Sequence, residues 1–410
     1  MKILHTSDWH LGRTLYGRKR YAEFEAFLNW LQTILDQNQV DVLLVAGDVF
    51  DTSAPSHRAQ ELYYRFLCRV AGSCCRHVVV IAGNHDSPSF LNAPKELLKA
   101  LAVHVIGHAT ENLQEELLLL HNAQGQPELL VCAVPYLRDR DLRVVEAGES
   151  VADKERKLLE AIQQHYAELS ALATQMRTAV GRPIPIVALG HLFAAGGQTV
   201  DGDGVRELYV GSLAHVHARI FPAALDYVAL GHLHVPQKVN AQDNIRYSGS
   251  PIPMGFGEAK QSKSVCLVEF LPEQPLAITL LNVPVFQTLE RVQGNWAQIA
   301  ATLANLAANN STAWLEIVYS GEELISDLRE RLEQAISGTA MEILRVKNNR
   351  IIERVLQQQH AQESLDDLNV QEVFQRCLLA HAVTEEQQSE LLRAYQETLK
   401  SLDESDALAD

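Results

Sequence analysis

Short apolar runs and longer helical stripes alternate through the first hundred residues. Residues 42–46 (VLLVA) have no polar position at all, the pattern of a strand buried on both faces. Residues 2–6 and 77–82 read as two more strands. Between them Phe24, Phe27, Leu28, Leu31, Ile34 and Leu35 recur at the helical period, which predicts an amphipathic helix over about 20–37. A second helix is expected over 57–70. This strand–helix–strand–helix–strand order calls for parallel strands joined by right-handed crossovers.

Further strands are expected at 103–106, 117–120, 129–134, 184–189 and 227–230, with a long helix over about 152–178. Residues 245–250, 265–270 and 277–283 read as antiparallel closing strands. From 285 the rhythm tightens. A strand at 286–292, a helix at 296–307, a strand at 313–319, a helix at 324–336 and a strand at 341–346 make a small α/β unit. Beyond 350 the chain is polar and helical. Val370, Val373, Phe374, Cys377 and Leu378 fall on one helical stripe, and Leu391, Leu392, Tyr395 and Leu399 on another. Two such helices are too little for a core of their own, so they dock on this chain or bind something else. The expected division is 1–283, 284–348 and 349–410.

Composition changes this picture little. The 410 residues are 47% hydrophobic and 21% charged, ordinary for a globular chain of two or three domains. No apolar run reaches membrane-spanning length, and the apolar part of MKILHTSDWH is too short for a signal peptide. None of the six cysteines forms a C-x-x-C pair, so reduced thiols in the cytoplasm are expected. The net charge of −16 argues against a chain that coats nucleic acid unaided.

The chemistry gathers at strand ends. Five predicted buried strands run into polar groups: Asp8 and His10; Asp48, with Asp51 beyond it; Asn84 and His85; His191; His232 and His234. Residues two apart in extended chain point the same way, so Asp8 with His10, and His232 with His234, can each aim two ligands at one point. One histidine after a strand is commonly a core or surface residue, and one Gly-Asp is commonly a turn. Five such groups in one chain point instead to metal. Mixed carboxylate, amide and imidazole donors suit Mn, Fe or Zn better than Ca or Mg. Their number suits two ions. Two dications ~4 Å apart repel by on the order of 16 kcal/mol at an effective dielectric of ~20, so an anion must lie between them. Asp48 can serve, as can a bridging hydroxide. Such a centre stays positive inside an acidic chain and attracts a phosphate ester locally. His85, next to Asn84, points away from that ligand's direction and is placed to act as a general acid.

The order D-x-H, GD-x-x-D, GNHD, GH, GH-x-H resembles the calcineurin-like metallophosphoesterases. KILHTSDWHLG, VAGDVFD, IAGNHDS, GHLH and YSGSP resemble one branch of them, the SbcD-type nuclease subunits. The resemblance implies an α/β (α+β) fold, a two-sheet β-sandwich flanked by helices, followed by a small α/β capping domain and C-terminal helices that bind an SbcC-type coiled-coil ATPase. Carried over by position, one metal takes Asp8, His10, Asp48 and His234, the other takes Asp48, Asn84, His191 and His232, and His85 is catalytic. The family metal is typically manganese. The resemblance further implies a 3′→5′ exonuclease on duplex DNA and an endonuclease on single strands and hairpins, assembled as two copies of each subunit. Archaeal and eukaryotic relatives place a histidine where this chain has Asp51, which reads here as a carboxylate that orients a ligand imidazole.

Rival activities exist within the same fold. A phosphoprotein phosphatase usually carries an arginine right after GD-x-x-D, whereas Thr52, Ser53, Ala54 and Pro55 follow Asp51 here. A small-molecule phosphodiesterase would not need the later domains. A scaffold that has lost catalysis usually lacks ligands, and none is missing. For nucleic acid speaks the loop after His10, where Arg13, Arg18, Lys19 and Arg20 surround Tyr16 with no acid before Glu23. The chain has no G-x-x-x-x-G-K-[ST] loop, so ATP is expected to be used by the partner.

Overall fold

A computed structural model of the chain describes residues 1–142, 151–194 and 218–348 apart from 322, 324 and 326, together with positions 374, 378, 388, 391, 392 and 395. It divides into two compact units, Met1–Glu290 and Arg291–Asp410.

The first unit is built on two six-stranded sheets. Across one sheet lie Ala277–Asn282, Ser264–Glu269, Lys2–Thr6, Val42–Ala46, His77–Ile81 and Val103–Ile106. The last four are mutually parallel, and the first two close the sheet antiparallel. Across the other lie Gln237–Val239, Gln242–Tyr247, Tyr227–Gly231, Ile186–His191, Pro127–Ala133 and Leu117–His121. Here the central four are parallel and both edge strands antiparallel.

This corrects one expectation. The run at 245–250 does not close the fold antiparallel. Its strand lies parallel to Tyr227–Gly231, with Val228 opposite Ile245. Side-chain alternation reads the same in either strand direction, so periodicity does not encode polarity. The short strand Gln237–Val239 reverses the chain first, which lets the next strand run parallel.

Three apolar layers hold this unit together. The two sheets face each other through Ile3, Val42, Leu44, Ala46 and Ile81 on one side and Val131, Val187, Leu189 and Ala229 on the other. The alternate residues of the same strands, Leu43 and Val45, meet the helices Tyr21–Asn38 and His57–Ala71 through Phe24, Phe27, Leu31, Phe66 and Leu67. Strand 42–46 is therefore covered on both faces, which is why its sequence has no polar position. On the far side the helix Val151–Val180 packs Tyr166, Leu169 and Ala173 onto Ile186, Ala188 and Val228. The result is the sandwich flanked by helices that the family resemblance implies.

Leu289–Gly294, Trp314–Tyr319 and Glu342–Asn348 form a three-stranded sheet, all but the first two residues of which belong to the second unit. Helices Trp296–Ala308 and Leu328–Ala335 bury Ile299, Leu303 and Leu332 against Leu315 and Ile317. The first of them starts on a capping box, Asn295 with Gln298, which satisfies two helix-end N–H groups. Of the C-terminal stripes, Phe374 and Tyr395 stack with ring centroids 3.9 Å apart. Val370, Val373, Cys377 and Leu399 lie outside the described residues.

Candidate metal centre

Every candidate ligand sits where a buried strand ends, and the backbone there is unusual. Asp8, His10, Asp48 and His232 all have positive φ, of 53°, 46°, 49° and 100°. For residues with a Cβ this costs roughly 1–3 kcal/mol each and persists only where the surroundings enforce it. The enforcement is visible. The Asp8 and His10 N–H groups donate to the Gly47 and Asp48 carbonyls at 3.0 Å. Trp9, between them, points away into the helix layer against Phe27 and Phe66, which aims Asp8 and His10 together at the centre. Asp86 accepts from the backbone N–H groups of Gly83, Val49 and Phe50 and so ties the third strand end to the second.

The two sheets touch backbone to backbone at this point. A Cβ on Gly231 would lie 1.9 Å from the Ala46 carbonyl oxygen, and one on Gly83 would lie 2.1 Å from Asp48 Oδ1. Only glycine allows strand ends to approach so closely.

Among the described residues three donor groups result, each with ligand atoms within 4.8 Å of one another: Asp8, His10 and His234; Asp8, Asp48 and His191; His10, Asp51 and His85. Asn84 and His232 join the second. Asn84 Oδ1 lies 2.9 Å from His191 Nε2 and 3.0 Å from His232 Nδ1. Asp48 lies between the groups, with Oδ2 3.5 Å from His10 Nε2 and 3.4 Å from His191 Nε2. His85 faces elsewhere than Asn84. Its Nδ1 donates to the Asp51 carbonyl oxygen at 2.9 Å, and its ring packs edge-on to His10.

Residues 1–236 match the family model of calcineurin-like phosphoesterases. Residues 285–382 match a model described as the Type 5 capsule protein repressor C-terminal domain. The SbcD subunit of nuclease SbcCD from Escherichia coli (strain K12) is 38% identical over 408 residues, 98% of each chain. This chain belongs to the SbcD family of calcineurin-like phosphoesterases. Proteins of the same name from Rhodobacter capsulatus and Bacillus subtilis are 39% and 38% identical over 275 residues, 66% of this chain and 66% and 67% of theirs. Among the described residues no helix is long and apolar enough to cross a membrane.

The donor set fits the divalent metal that this SbcD-family fold implies. His10 and His234 bring their Nε2 atoms within 3.2 Å of each other. Behind them, His10 Nδ1 lies 3.2 Å from Asp51 Oδ1, and His234 Nδ1 lies 3.4 Å from Glu258 Oε1. With the protons of both rings on Nδ1, the side of the carboxylates, two lone pairs would confront each other at the centre, an arrangement a cation relieves. His191 is held the same way, with Nδ1 donating to the Ala46 carbonyl at 2.9 Å.

The electrostatics agree. Burial pushes His10 down to about 4 and His232 down to about 3, which leaves both imidazoles neutral and able to ligate at pH 7. Burial opposes charge on His191 too, but Asp48 outweighs it and raises that imidazole to about 9. Burial opposes charge on Asp48 as well, but the imidazoles of His191, His10 and His85 hold its carboxyl well below the usual carboxylate range.

One reading of the basic loop fails. Arg20 is not available to a phosphate backbone. It is 2% exposed, its Nε and Nη2 donate to Glu23 at 2.8 Å, and its Nη1 donates to the Pro253 carbonyl. The acid taken as the end of the basic run is its partner. Arg13 is paired with Asp51 at 3.1 Å. Arg18 and Lys19 are exposed on a hairpin, Thr14–Leu15 with Arg18–Lys19, and Tyr16 at its tip stacks on Phe256.

Glu258 and Lys263 do not stand out in the sequence. Their only signal is an acid after Met-Gly-Phe-Gly and a lysine at the head of an apolar strand. Both are buried, and they pair with each other.

Proposed function

We propose that this chain is a DNA nuclease subunit that hydrolyses phosphodiesters with two divalent cations, manganese by family resemblance. It would act as a 3′→5′ exonuclease on duplex DNA and as an endonuclease on single-stranded and hairpin DNA. Its setting would be DNA recombination, replication and repair in the cytoplasm, with an SbcC-type ATPase as partner. The observation that carries this reading is the place of Asp48 Oδ2 between His10 Nε2 and His191 Nε2, 3.5 and 3.4 Å away.

Asp8, His10, Asp48 and His234 would hold one cation, and Asp48, Asn84, His191 and His232 the other. When bound, the pair supplies Lewis-acid polarisation of the phosphoryl oxygens and a water nucleophile at neutral pH. His85 stands beside the ligands without being one. Its Nδ1 proton is committed to the Asp51 carbonyl, so His85 would act as an acid in its imidazolium form, passing the second proton, on Nε2, to the departing oxygen and keeping the one on Nδ1. Asp51 holds the His10 ring from behind, and Arg13 neutralises Asp51. Arg18 and Lys19 would meet backbone phosphates next to the centre.

By this reading residues 1–283 are the nuclease domain, 284–348 a capping domain and 349–410 the segment that binds the ATPase, with two copies of each subunit in the assembly.

The experiment is to offer the purified chain with Mn²⁺ three substrates: labelled hairpin DNA, a phosphopeptide and bis-p-nitrophenyl phosphate. Cleavage of the hairpin is expected. Turnover of the phosphopeptide alone would overturn the nuclease reading.

A further inference from the structure

Three of the candidate ligand imidazoles have an acceptor behind Nδ1. His191 has the Ala46 carbonyl and His10 has Asp51. His234 has Glu258, whose Oε1 lies 3.4 Å from His234 Nδ1. Glu258 comes from a different part of the chain, the turn Phe256–Glu258 between the last strand of one sheet and the first closing strand of the other.

The other oxygen of Glu258 is fully engaged. Oε2 accepts from the Met254 N–H and from Ser250 Oγ, both at 3.2 Å, and from Lys263 Nζ. Lys263 also donates to the His234 carbonyl at 2.9 Å and to Ser250 Oγ at 3.0 Å. The Ser250 N–H donates to the same carbonyl at 3.1 Å. His234 is thus gripped at its backbone by Lys263 and Ser250 and faced at its ring by Glu258. Meanwhile Glu258 Oε1 is buried and accepts no hydrogen bond of ordinary geometry. It is the one oxygen of that carboxylate left over, and the imidazole is what it faces.

Energetics separate this from a simple latch. Glu258 is fully buried and Lys263 is 4% exposed. A buried ion pair is weak evidence for stability, because desolvation offsets most of its attraction. An apolar pair would close the same turn. A carboxylate aimed at Nδ1 does what an apolar residue cannot. It fixes the tautomer and ring angle of an imidazole and raises the basicity of the opposite nitrogen.

We propose that Glu258 is a positioning residue for the metal centre: it keeps the proton of His234 on Nδ1 so that Nε2 faces Asp8 and His10, and Lys263 anchors it there. The proposal rests on His234 being a metal ligand, so the test must tell the two ideas apart. Two measurements do so. The first is titration calorimetry of Mn²⁺ into the full chain, comparing wild type, Glu258→Gln and His234→Ala, with melting curves to establish that each is folded. Glu258→Gln is expected to weaken one of two Mn²⁺ sites by about 10- to 100-fold. The second is ¹⁵N spectroscopy of the histidine rings of the Zn²⁺-loaded wild type, where the His234 proton is expected on Nδ1.

If His234→Ala binds two Mn²⁺ at wild-type affinity, the metal reading of His234 falls. If His234→Ala loses a site while Glu258→Gln binds as wild type, the role of Glu258 falls alone. A His234 coordinated through Nδ1 in the Zn²⁺-loaded wild type would overturn it as well, and that result decides the matter even if Glu258→Gln does not fold.

Discussion

The backbone N–H of His85 donates to Asp48 Oδ1 at 2.9 Å, so the strand end that carries the proposed acid also fixes the carboxylate between the two donor groups. Asp48 has little freedom, because Oδ1 is taken by this bond and Oδ2 faces His10 and His191. Asp48→Asn keeps the shape and removes the charge. With no anion to separate two cations, the variant is expected to bind fewer than two metal ions per chain, read by elemental analysis after gel filtration in Mn²⁺. Two ions per chain would show that Asp48 does not have this task.

His85→Gln tests the acid separately from the ligands. The variant is expected to keep its metal content and lose about 10²- to 10⁴-fold in cleavage rate, the usual contribution of general acid–base catalysis. Wild-type cleavage of hairpin DNA would remove His85 from the mechanism.

Gly231→Ala places a methyl 1.9 Å from the Ala46 carbonyl, a backbone atom that cannot turn aside. The strand ends must part. Overpacking of this kind costs about 1–3 kcal/mol or more. The melting temperature should fall, and metal affinity with it, since His232 is the next residue. A variant with unchanged melting and metal binding would mean that the strand ends tolerate separation.

The two kinds of basic residue in the hairpin region should behave differently. Lys19→Ala is expected to weaken DNA binding and to reduce the slope of log affinity against log salt by about 1, with no effect on melting. Arg20→Ala strands Glu23 in the core, and breaking such a pair from one side costs roughly 3–5 kcal/mol. It should lower the melting temperature instead. The opposite pattern would reverse the assignment of the two residues.

A chain ending at residue 348 is expected to retain Mn²⁺-dependent cleavage of short DNA and to lose co-purification with an SbcC-type ATPase. If the shortened chain still brings down the ATPase, the binding segment lies elsewhere.

Much of this was readable from residue order alone. Strand 42–46 announced itself because burial on both faces removes every polar position, and the candidate ligands followed because strand ends collect them. Other features depend on partners distant in sequence. Arg20 reads as surface charge until Glu23 and Pro253 are brought to it. The direction of Gln242–Tyr247 depends on a three-residue strand that side-chain rhythm barely marks. Glu258 gains its meaning only from a histidine 24 positions earlier, which folding places against it.

The close contact at Gly231 has a wider consequence. Asp8 and His10 come from one sheet and His234 from beyond a strand of the other. Asp48 and Asn84 likewise belong to the first, and His191 and His232 to the second. Each cation would therefore act as a rivet through both halves of the sandwich. Occupancy of the centre and cohesion of the sheets then become one linked equilibrium: free metal at a hundred times its dissociation constant would add about 2.7 kcal/mol per site against unfolding. A nuclease built this way would be at its most cohesive only when it is armed.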